Sequence, residues 1–286
     1  MPIEFDDHDC GEVCSLAAWR VVDSDTFAKT LAWLYLRKPR HALNIIQALQ
    51  PGEANFPGNE FDAALALLSY RTDDLRAELE SGDLQVKRKA ENTLSKRIEQ
   101  RDGLLFQHVS WLAAYLRNPG AHLSPPHVRK ADKGFDGVLV RFRDDAASVS
   151  AVILCEDKAT TNPRNLVTQS IWPEIEDIID GRKDLEILDY VTAILDKIHG
   201  LDPELALRDL SWDKVRRFRV AVTVPEAQAR DGTFAHIFEG FDEVAPHHPE
   251  TRIGEIMSLP DVRGFLDDLA GEVRAKIDAM RAELDV

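Results

Sequence analysis

Three charged residues in the middle of the chain have the types and spacing of a metal site. Asp136 precedes a run of apolar residues, and Glu156 and Lys158 end a second run. Residues two apart in a β-strand point to the same face, so Glu156 and Lys158 share one face while Cys155 and Asp157 share the other. Two carboxylates are hard oxygen ligands that suit Mg²⁺, and a lysine beside them supplies positive charge. This pattern predicts a Mg²⁺ site with open positions for water and phosphate.

A β-hairpin is the element that would bring these residues together. Residues 134–142 and 149–158 are rich in β-branched residues, and the polar link between them is long enough for a turn. With the turn centred near residue 146, the facing pairs are Phe142 with Ser150, Val140 with Val152, Val138 with Leu154, and Asp136 with Glu156. Two facing carboxylates repel each other unless a cation lies between them, so we expect Mg²⁺ or Lys158 there. The alternative is that the charged residues are ordinary solvated or salt-bridged side chains at strand ends.

The rest of the chain predicts an α/β fold with a helical N-terminal extension. Apolar residues recur at helical spacing from residue 25 to about 117, whereas the hairpin that follows has strand spacing. Asn162-Pro163 is a helix start, and residues 218–224 have the composition of a buried strand. We therefore assign residues 1–100 to a helical region and residues 101–286 to a mixed sheet flanked by helices.

The C-terminal segment predicts one long helix with a continuous apolar stripe. The stripe comprises Phe265, Leu266, Leu269, Val273, Ile277, Met280 and Leu284. Such a stripe suits either a closing helix packed on the core or a contact with a second copy of the chain. A homo-oligomer formed through this helix is therefore one expected assembly.

The motif around the charged residues resembles that of a known enzyme family. Gly134-Phe-Asp-Gly-Val138, followed by Ile153-Leu-Cys-Glu-Asp-Lys158 and by a helix that carries Gln169, resembles the PD-(D/E)XK superfamily of metal-dependent nucleases. Many restriction enzymes, repair nucleases and anti-phage defence nucleases belong to this superfamily. The resemblance covers residues 103–224 and implies a restriction-endonuclease-like order of helix, strands, helix and strand.

The resemblance implies a role for each residue of the motif. Asp136 and Glu156 would hold Mg²⁺, or Mn²⁺ in its place, helped by the backbone carbonyl of Asp157. Lys158 would orient or deprotonate the attacking water. Gln169 would be the polar residue that many members carry on the following helix.

Two positions depart from the family pattern. Phe135 replaces the proline that precedes the first aspartate, and Gln107 and His108 stand where many members carry an acid on the first helix. The resemblance also implies a role in prokaryotic anti-phage defence. A helicase or another defence-system protein is the expected protein partner.

Basic residues near the motif are candidates for contacts with nucleic acid. They are Arg129, Lys130 and Lys133, just before the motif, and Arg216, Arg217 and Arg219, around the last predicted strand. Both groups could touch a phosphate backbone close to the metal. Each group could equally be solvated charge on loops and strand ends.

Two other clusters contain residue types that bind metals. His8, Cys10 and Cys14 form an H-x-C-x₃-C cluster, but no fourth zinc ligand can be placed. His247-His248 lies in a proline-containing segment that favours a solvated loop. A structural role is therefore the expectation for both clusters.

The composition excludes several classes of protein. The 286 residues include 35 Lys and Arg against 50 Asp and Glu, a net charge of −15, whereas general nucleic-acid coats are basic. No apolar run reaches the roughly 18 residues of a membrane span, and the acidic N-terminus differs from a signal peptide. Three cysteines cannot build a disulfide framework in a chain of this length. We expect a cytoplasmic protein with no membrane partner.

Two functions from different classes fit these observations. The first is Mg²⁺-dependent hydrolysis of nucleic acid, with DNA as the expected substrate. The second is a catalytically inactive nuclease-fold protein that binds or regulates within a defence complex, its three charged residues forming an ion pair. Mg²⁺ affinity of the isolated protein would separate the two functions.

Overall fold

A mixed β-sheet lies between two layers of helices in the computed structural model, which describes residues 1–128, 134–143, 148–208, 210–230, 232–246 and 248–283. The strands are β1 (Ile3–His8), β2 (Ser15–Val21), β3 (His122–Leu123), β4 (Gly137–Phe142), β5 (Val149–Lys158), β6 (Arg216–Pro225) and β7 (Arg252–Leu259). Their order across the sheet is β1-β2-β7-β6-β5-β4-β3. Strands β2, β7, β6 and β5 are parallel neighbours, while β1, β4 and β3 are antiparallel to the strands beside them.

Helices cover both faces of this sheet. They are α1 (Ser24–Tyr35), α2 (Pro39–Ile46), α3 (Glu60–Leu67), α4 (Arg76–Leu79), α5 (Leu84–Arg117), α6 (Pro163–Leu166), α7 (Trp172–Ile179), α8 (Asp184–Leu195), α9 (Pro203–Leu207), α10 (Trp212–Val215), α11 (Phe241–Val244) and α12 (Val262–Glu283). Helices α1, α3, α5 and α12 contribute to one core, and α7 and α8 contribute to the other. Strand β6 is buried on both faces, because Val220 and Val222 point into the α7–α8 core and Ala221 points into the opposite one. None of the described helices is long and apolar enough to cross a membrane.

The β4–β5 hairpin positions the predicted site, and most of its expected register is confirmed. Val138 pairs with Leu154 and Val140 pairs with Val152. The expected pairing of Phe142 with Ser150 is wrong, because an irregularity after Arg141 shifts Phe142 opposite Val149. The shift lies at the turn end of the hairpin, so the register near the charged residues is unaffected.

The first 100 residues include two strands, which the helical prediction missed. Strands β1 and β2 form an antiparallel hairpin, and β2 joins the sheet beside β7. Apolar and polar residues alternate in β1, so that Ile3 is buried and Glu4 is exposed. The expected boundary at residue 100 falls inside α5, and α1 and α3 share a core with α12.

The C-terminal helix α12 forms as predicted, and its apolar stripe packs within the same chain. Leu266, Leu269, Val273 and Ile277 are buried in the core that contains α1, α3 and α5. The alternative use of this stripe as a contact with a second copy is therefore wrong. The physical reason is that the N-terminal helices already cover the stripe.

Candidate active site

The predicted charged residues meet at one edge of the sheet. Asp136 directly precedes β4, and Glu156 and Lys158 lie at the carboxyl end of β5, which is antiparallel to β4. Gly134 precedes β4 with a φ of +127°, a backbone conformation that favours glycine. A Cβ atom at this position would lie only 2.9 Å from the Tyr190 hydroxyl, so a larger residue would also clash. The carboxyl ends of parallel strands are the usual location of ligand sites in open α/β sheets.

Lys158 lies between the two carboxylates. Its Nζ is 2.7 Å from Oδ2 of Asp136 and 2.9 Å from Oε2 of Glu156. Asp136 and Glu156 are 7% and 5% exposed, whereas the Lys158 side chain is 31% exposed. The expected proximity of the two carboxylates, with Lys158 on their side of the sheet, is therefore confirmed.

Asp136 is fixed by two further donors. The backbone N–H of Asp157 donates to its Oδ2 at 2.8 Å, and the side-chain amide of Gln107 donates to its Oδ1. Gln107 comes from α5, at the place where the family resemblance implies an acid, and it orients Asp136 without adding negative charge. The neighbouring His108 points into the core, where its ring stacks on Tyr35 with a centroid separation of 4.3 Å.

The cluster contains a carboxylate whose charge is incompletely compensated. Burial raises the pKa of Glu156 to about 8, and repulsion from Asp136 adds to this effect while Lys158 opposes it. Glu174, on α7, contributes a further negative charge that the sequence analysis did not identify. Burial acts to lower the pKa of Lys158, but Glu156 and Asp136 outweigh it and raise that pKa. The ammonium therefore stays protonated.

An open cleft of about 340 Å³ leads to this cluster. One wall is the face of α5 that carries Lys96, Gln100 and Gln107, and the opposite wall includes Lys158 and Leu166. Clefts of a few hundred Å³ are large enough to hold small ligands. A water molecule and a phosphate group can thus reach Lys158 from solvent.

The donor set fits a magnesium ion that retains several waters. Within the described ranges, no group of three or more His, Cys, Asp or Glu side chains is arranged to hold a metal. Mg²⁺ is usually bound by one or two carboxylates together with water and substrate phosphates, and Asp136 and Glu156 provide that number. Lys158 is the only polar partner that the described residues give to Glu156, whose pKa is raised by burial and by repulsion from Asp136.

The opposite face of β5 carries a second, fully buried charged network that sequence reasoning missed. Nη1 of Arg219 is 2.9 Å from Oδ1 of Asp157, and its Nη2 is 2.6 Å from Oε2 of Glu255. The Ser110 hydroxyl donates to Oδ1 of Asp157 at 2.7 Å. All three charged side chains are 1–3% exposed. The Asp157 side chain is therefore committed to this network, as its face predicts.

The arginines around β6 do not lie at the site, contrary to the expectation for phosphate contacts. Arg216 and Arg217 pair with the beginning of β5, about 20 Å along the strand from Lys158. Arg216 is buried, and its Nη1 donates to the Ile178 carbonyl at 2.8 Å. Arg219 is buried in the network above. Arginines can alternate with apolar residues in a buried strand when each finds an internal acceptor.

The other candidates either fall outside the described residues or lie away from this cluster. Arg129, Lys130, Lys133 and His247 fall outside the described residues. Gln169 is exposed within a π-helical turn, Val167–Ile171, and Leu166 lines the cleft instead. The Sγ atoms of Cys10 and Cys14 are 3.6 Å apart in the β1–β2 loop. Strands β1 and β2 form the edge of the sheet opposite to the edge that contains β4 and β3.

Comparisons of the chain with protein family models, with curated proteins and with solved structures find no match. The support for a function therefore comes from the chemistry of the cluster at the end of β5. Three features of that cluster matter: two converging carboxylates, a protonated lysine between them and an open cleft beside them.

Proposed function

We propose that the protein is a Mg²⁺-dependent nuclease that hydrolyses phosphodiester bonds in nucleic acid, with DNA as the expected substrate. The observation that carries this proposal is the convergence of Asp136 and Glu156 on Nζ of Lys158 at the wall of an open cleft. A carboxylate with a raised pKa beside a cleft, as Glu156 is, is typical of functional sites. A phosphodiester needs positive charge and hydrogen-bond donors where its transition state gains negative charge, and this cluster offers both.

The residues of the cluster have distinct tasks under this proposal. Mg²⁺ would supply positive charge to the phosphate and acidify a water molecule. Asp136 and Glu156 would hold the ion, with the backbone carbonyl of Asp157 as a further ligand. Gln107 keeps Asp136 oriented. Because Lys158 is protonated, it would donate hydrogen bonds to the attacking water or to a phosphate oxygen rather than accept a proton.

The order of the elements also supports the proposal. Helix α5, strands β3, β4 and β5, helices α6 to α10, and strand β6 follow one another, with β6 parallel to β5. The family resemblance implies that order of helix, strands, helix and strand. A role in anti-phage defence and a helicase partner stay predictions from the resemblance.

The test is cleavage by purified protein of circular duplex DNA, linear duplex DNA, single-stranded DNA and RNA. We expect cleavage of at least one substrate with Mg²⁺ or Mn²⁺ and none with EDTA. Glu156→Gln should abolish cleavage, because it removes a metal ligand. Glu176→Gln is the matched control, since Glu176 is exposed on α7 and the same charge is removed. Equal cleavage by both variants, or no cleavage of any substrate, would contradict the proposal.

A second function is favoured by one specific observation. Lys158 already lies within hydrogen-bond distance of both carboxylates, so each carboxylate has a cationic partner without a metal. A nuclease-fold protein that binds or regulates without catalysis would keep this ion pair and lack affinity for Mg²⁺. Calorimetric titration of the isolated protein with Mg²⁺ separates the two functions, because only the nuclease is expected to bind the ion.

A further inference from the structure

A basic groove adjoins the candidate site. Two neighbouring cavities of about 460 and 420 Å³ share Pro125, Ile194 and Lys197 in their walls. The basic side chains of this groove are Arg37, Arg40, His122, His127, Lys197 and His199. Among the described residues that line either cavity there is no Asp or Glu. A wall with only basic charges is unexpected in a chain with a net charge of −15 and indicates a site for an anion.

The groove runs toward the catalytic edge of the sheet. His122 pairs with Val140 in the middle of β4, and the chain then continues antiparallel to β4. Nε2 of His127 lies 2.6 Å from the carbonyl oxygen of Phe135, the residue before Asp136. The five steps along the chain from His122 to His127 span about 17 Å in extended conformation. One end of the groove therefore adjoins the metal-ligand residue.

Three cations of the groove have no acidic partner among the residues that the structure describes. Arg37, Arg40 and Lys197 are exposed, and none of them forms an ion pair with a described residue. Arg37 follows α1 with a φ of +59°, a left-handed conformation that normally favours glycine. Its guanidinium donates to the Pro126 carbonyl at 2.6 Å, which fixes it against the groove wall. Residues kept in a strained conformation often serve binding.

We propose that this basic groove binds consecutive phosphates of the nucleic-acid strand that is cut at Lys158, an inference that rests on the proposed nuclease function. A duplex strand has one phosphate per about 3.4 Å of axis, so about five phosphates match the length of the groove. Pro125, Tyr190 and Ile194 provide apolar surface for sugars and bases between the basic side chains. The groove takes the role that the sequence suggested for Arg216 and Arg217.

The test compares two double variants with equal changes in charge. Arg40→Gln/Lys197→Gln removes two exposed groove cations, and Lys87→Gln/Lys89→Gln removes two exposed cations from α5. Arg37 is left in place because it contacts Pro126. Binding of fluorescent duplex DNA, single-stranded DNA and single-stranded RNA is measured in EDTA at several salt concentrations. We expect the groove variant to bind more weakly and to lower the slope of log affinity against log salt by about 2, while the control keeps the wild-type slope.

The outcomes separate this inference from the proposed function. Equal slopes for the two variants would overturn the proposal that the groove binds phosphates, even if the protein cuts nucleic acid. Absence of binding by the wild-type protein to all three nucleic acids would overturn it as well. A loss confined to the groove variant would support the groove even if no substrate is cut, because EDTA makes the binding measurement independent of cleavage.

Discussion

The two faces of β5 carry charged clusters of similar composition in different surroundings. On one face, Asp136 and Glu156 share Lys158, whose side chain is 31% exposed beside a cleft. On the other face, Asp157 and Glu255 share Arg219, and none of the three is more than 3% exposed. Each cluster has two carboxylates and one cation, so residue type alone does not distinguish them.

Access to solvent distinguishes the two clusters. The Arg219 network adds the Ser110 hydroxyl to its ion pairs and is closed to solvent. The Lys158 cluster leaves Glu156 with a raised pKa and opens onto the cleft. A network closed to solvent serves structure, whereas one that opens onto a cleft can bind an ion and a phosphate.

The largest effect on stability should follow from breaking the closed network. Arg219→Met leaves Asp157 and Glu255 buried without a counter-charge, which we expect to lower the free energy of unfolding by about 3–5 kcal/mol. Chemical denaturation measures the change. Arg20→Met is the control, because Arg20 and Glu4 form an exposed pair that contributes little. Equal stability of the two variants would show that the network is not structural.

The next effect is a pH dependence of stability that comes from His108, which is buried on α5. Burial lowers the pKa of His108 to about 4, below its ordinary 6.5, so its neutral form stabilises the fold above pH 6.5. As the pH falls from 6.5 to 4, the unfolded chain takes up a proton on His108 and the folded chain does not. The free energy of unfolding should therefore fall by about 1.4 kcal/mol per pH unit in this window. Denaturation across this window should give a shallower pH dependence for His108→Met. Parallel curves for variant and wild type would indicate a charged or exposed His108.

A smaller effect on stability is expected at the open cluster. Asp136→Asn weakens the contacts with Lys158 and with the Asp157 N–H, and should cost about 1–3 kcal/mol. If the two carboxylates only repelled each other, Asp136→Asn would not lower the free energy of unfolding. Lys158 lies between them and already relieves this repulsion, so we expect a loss. We expect Mg²⁺ to raise the melting temperature of the wild type and to leave that of Asp136→Asn unchanged. A rise equal to that of the wild type would place the metal elsewhere.

The smallest effect is expected at the far end of β6. Arg216→Met removes a buried guanidinium that contacts the Ile178 carbonyl and lies about 20 Å from Lys158 along the sheet. The Arg216→Met variant should bind DNA with the affinity of the wild type in an anisotropy titration. A clear loss of affinity in a folded variant would restore the phosphate role that the sequence suggested.

Local patterns were sufficient to predict the hairpin and the cluster at its end. Alternation in β4 and β5 defines the faces, and the short link between these strands limits the register, so Asp136, Glu156 and Lys158 could be brought together from sequence. Strand β6 and helix α12 were predicted from a continuous apolar run and a helical stripe. These signals are contained within single elements.

The features that sequence missed depend on distant partners. Strand β7 contains Glu255, which looks unsuited to a buried strand until Arg219 is placed beside it. The π-helical turn at Val167–Ile171 alters the helical phase, so a 3.6-residue period does not place Gln169 correctly. The basic groove joins residues from α1–α2, the β3–β4 loop and α8, which no local pattern connects.

The most direct test of the functional difference between the two faces is cleavage of duplex DNA by Lys158→Ala with Mg²⁺. Removing one donor from a site of developing charge typically slows catalysis by roughly 10²–10³-fold. Removing the cation between two buried carboxylates should also lower the melting temperature, so cleavage is measured at a temperature where circular dichroism shows the variant folded. There we expect at least that loss of activity, while Lys89→Ala, an exposed control on α5, cuts normally. Cleavage by Lys158→Ala at the wild-type rate would contradict the assignment of the open face of β5 as the active site.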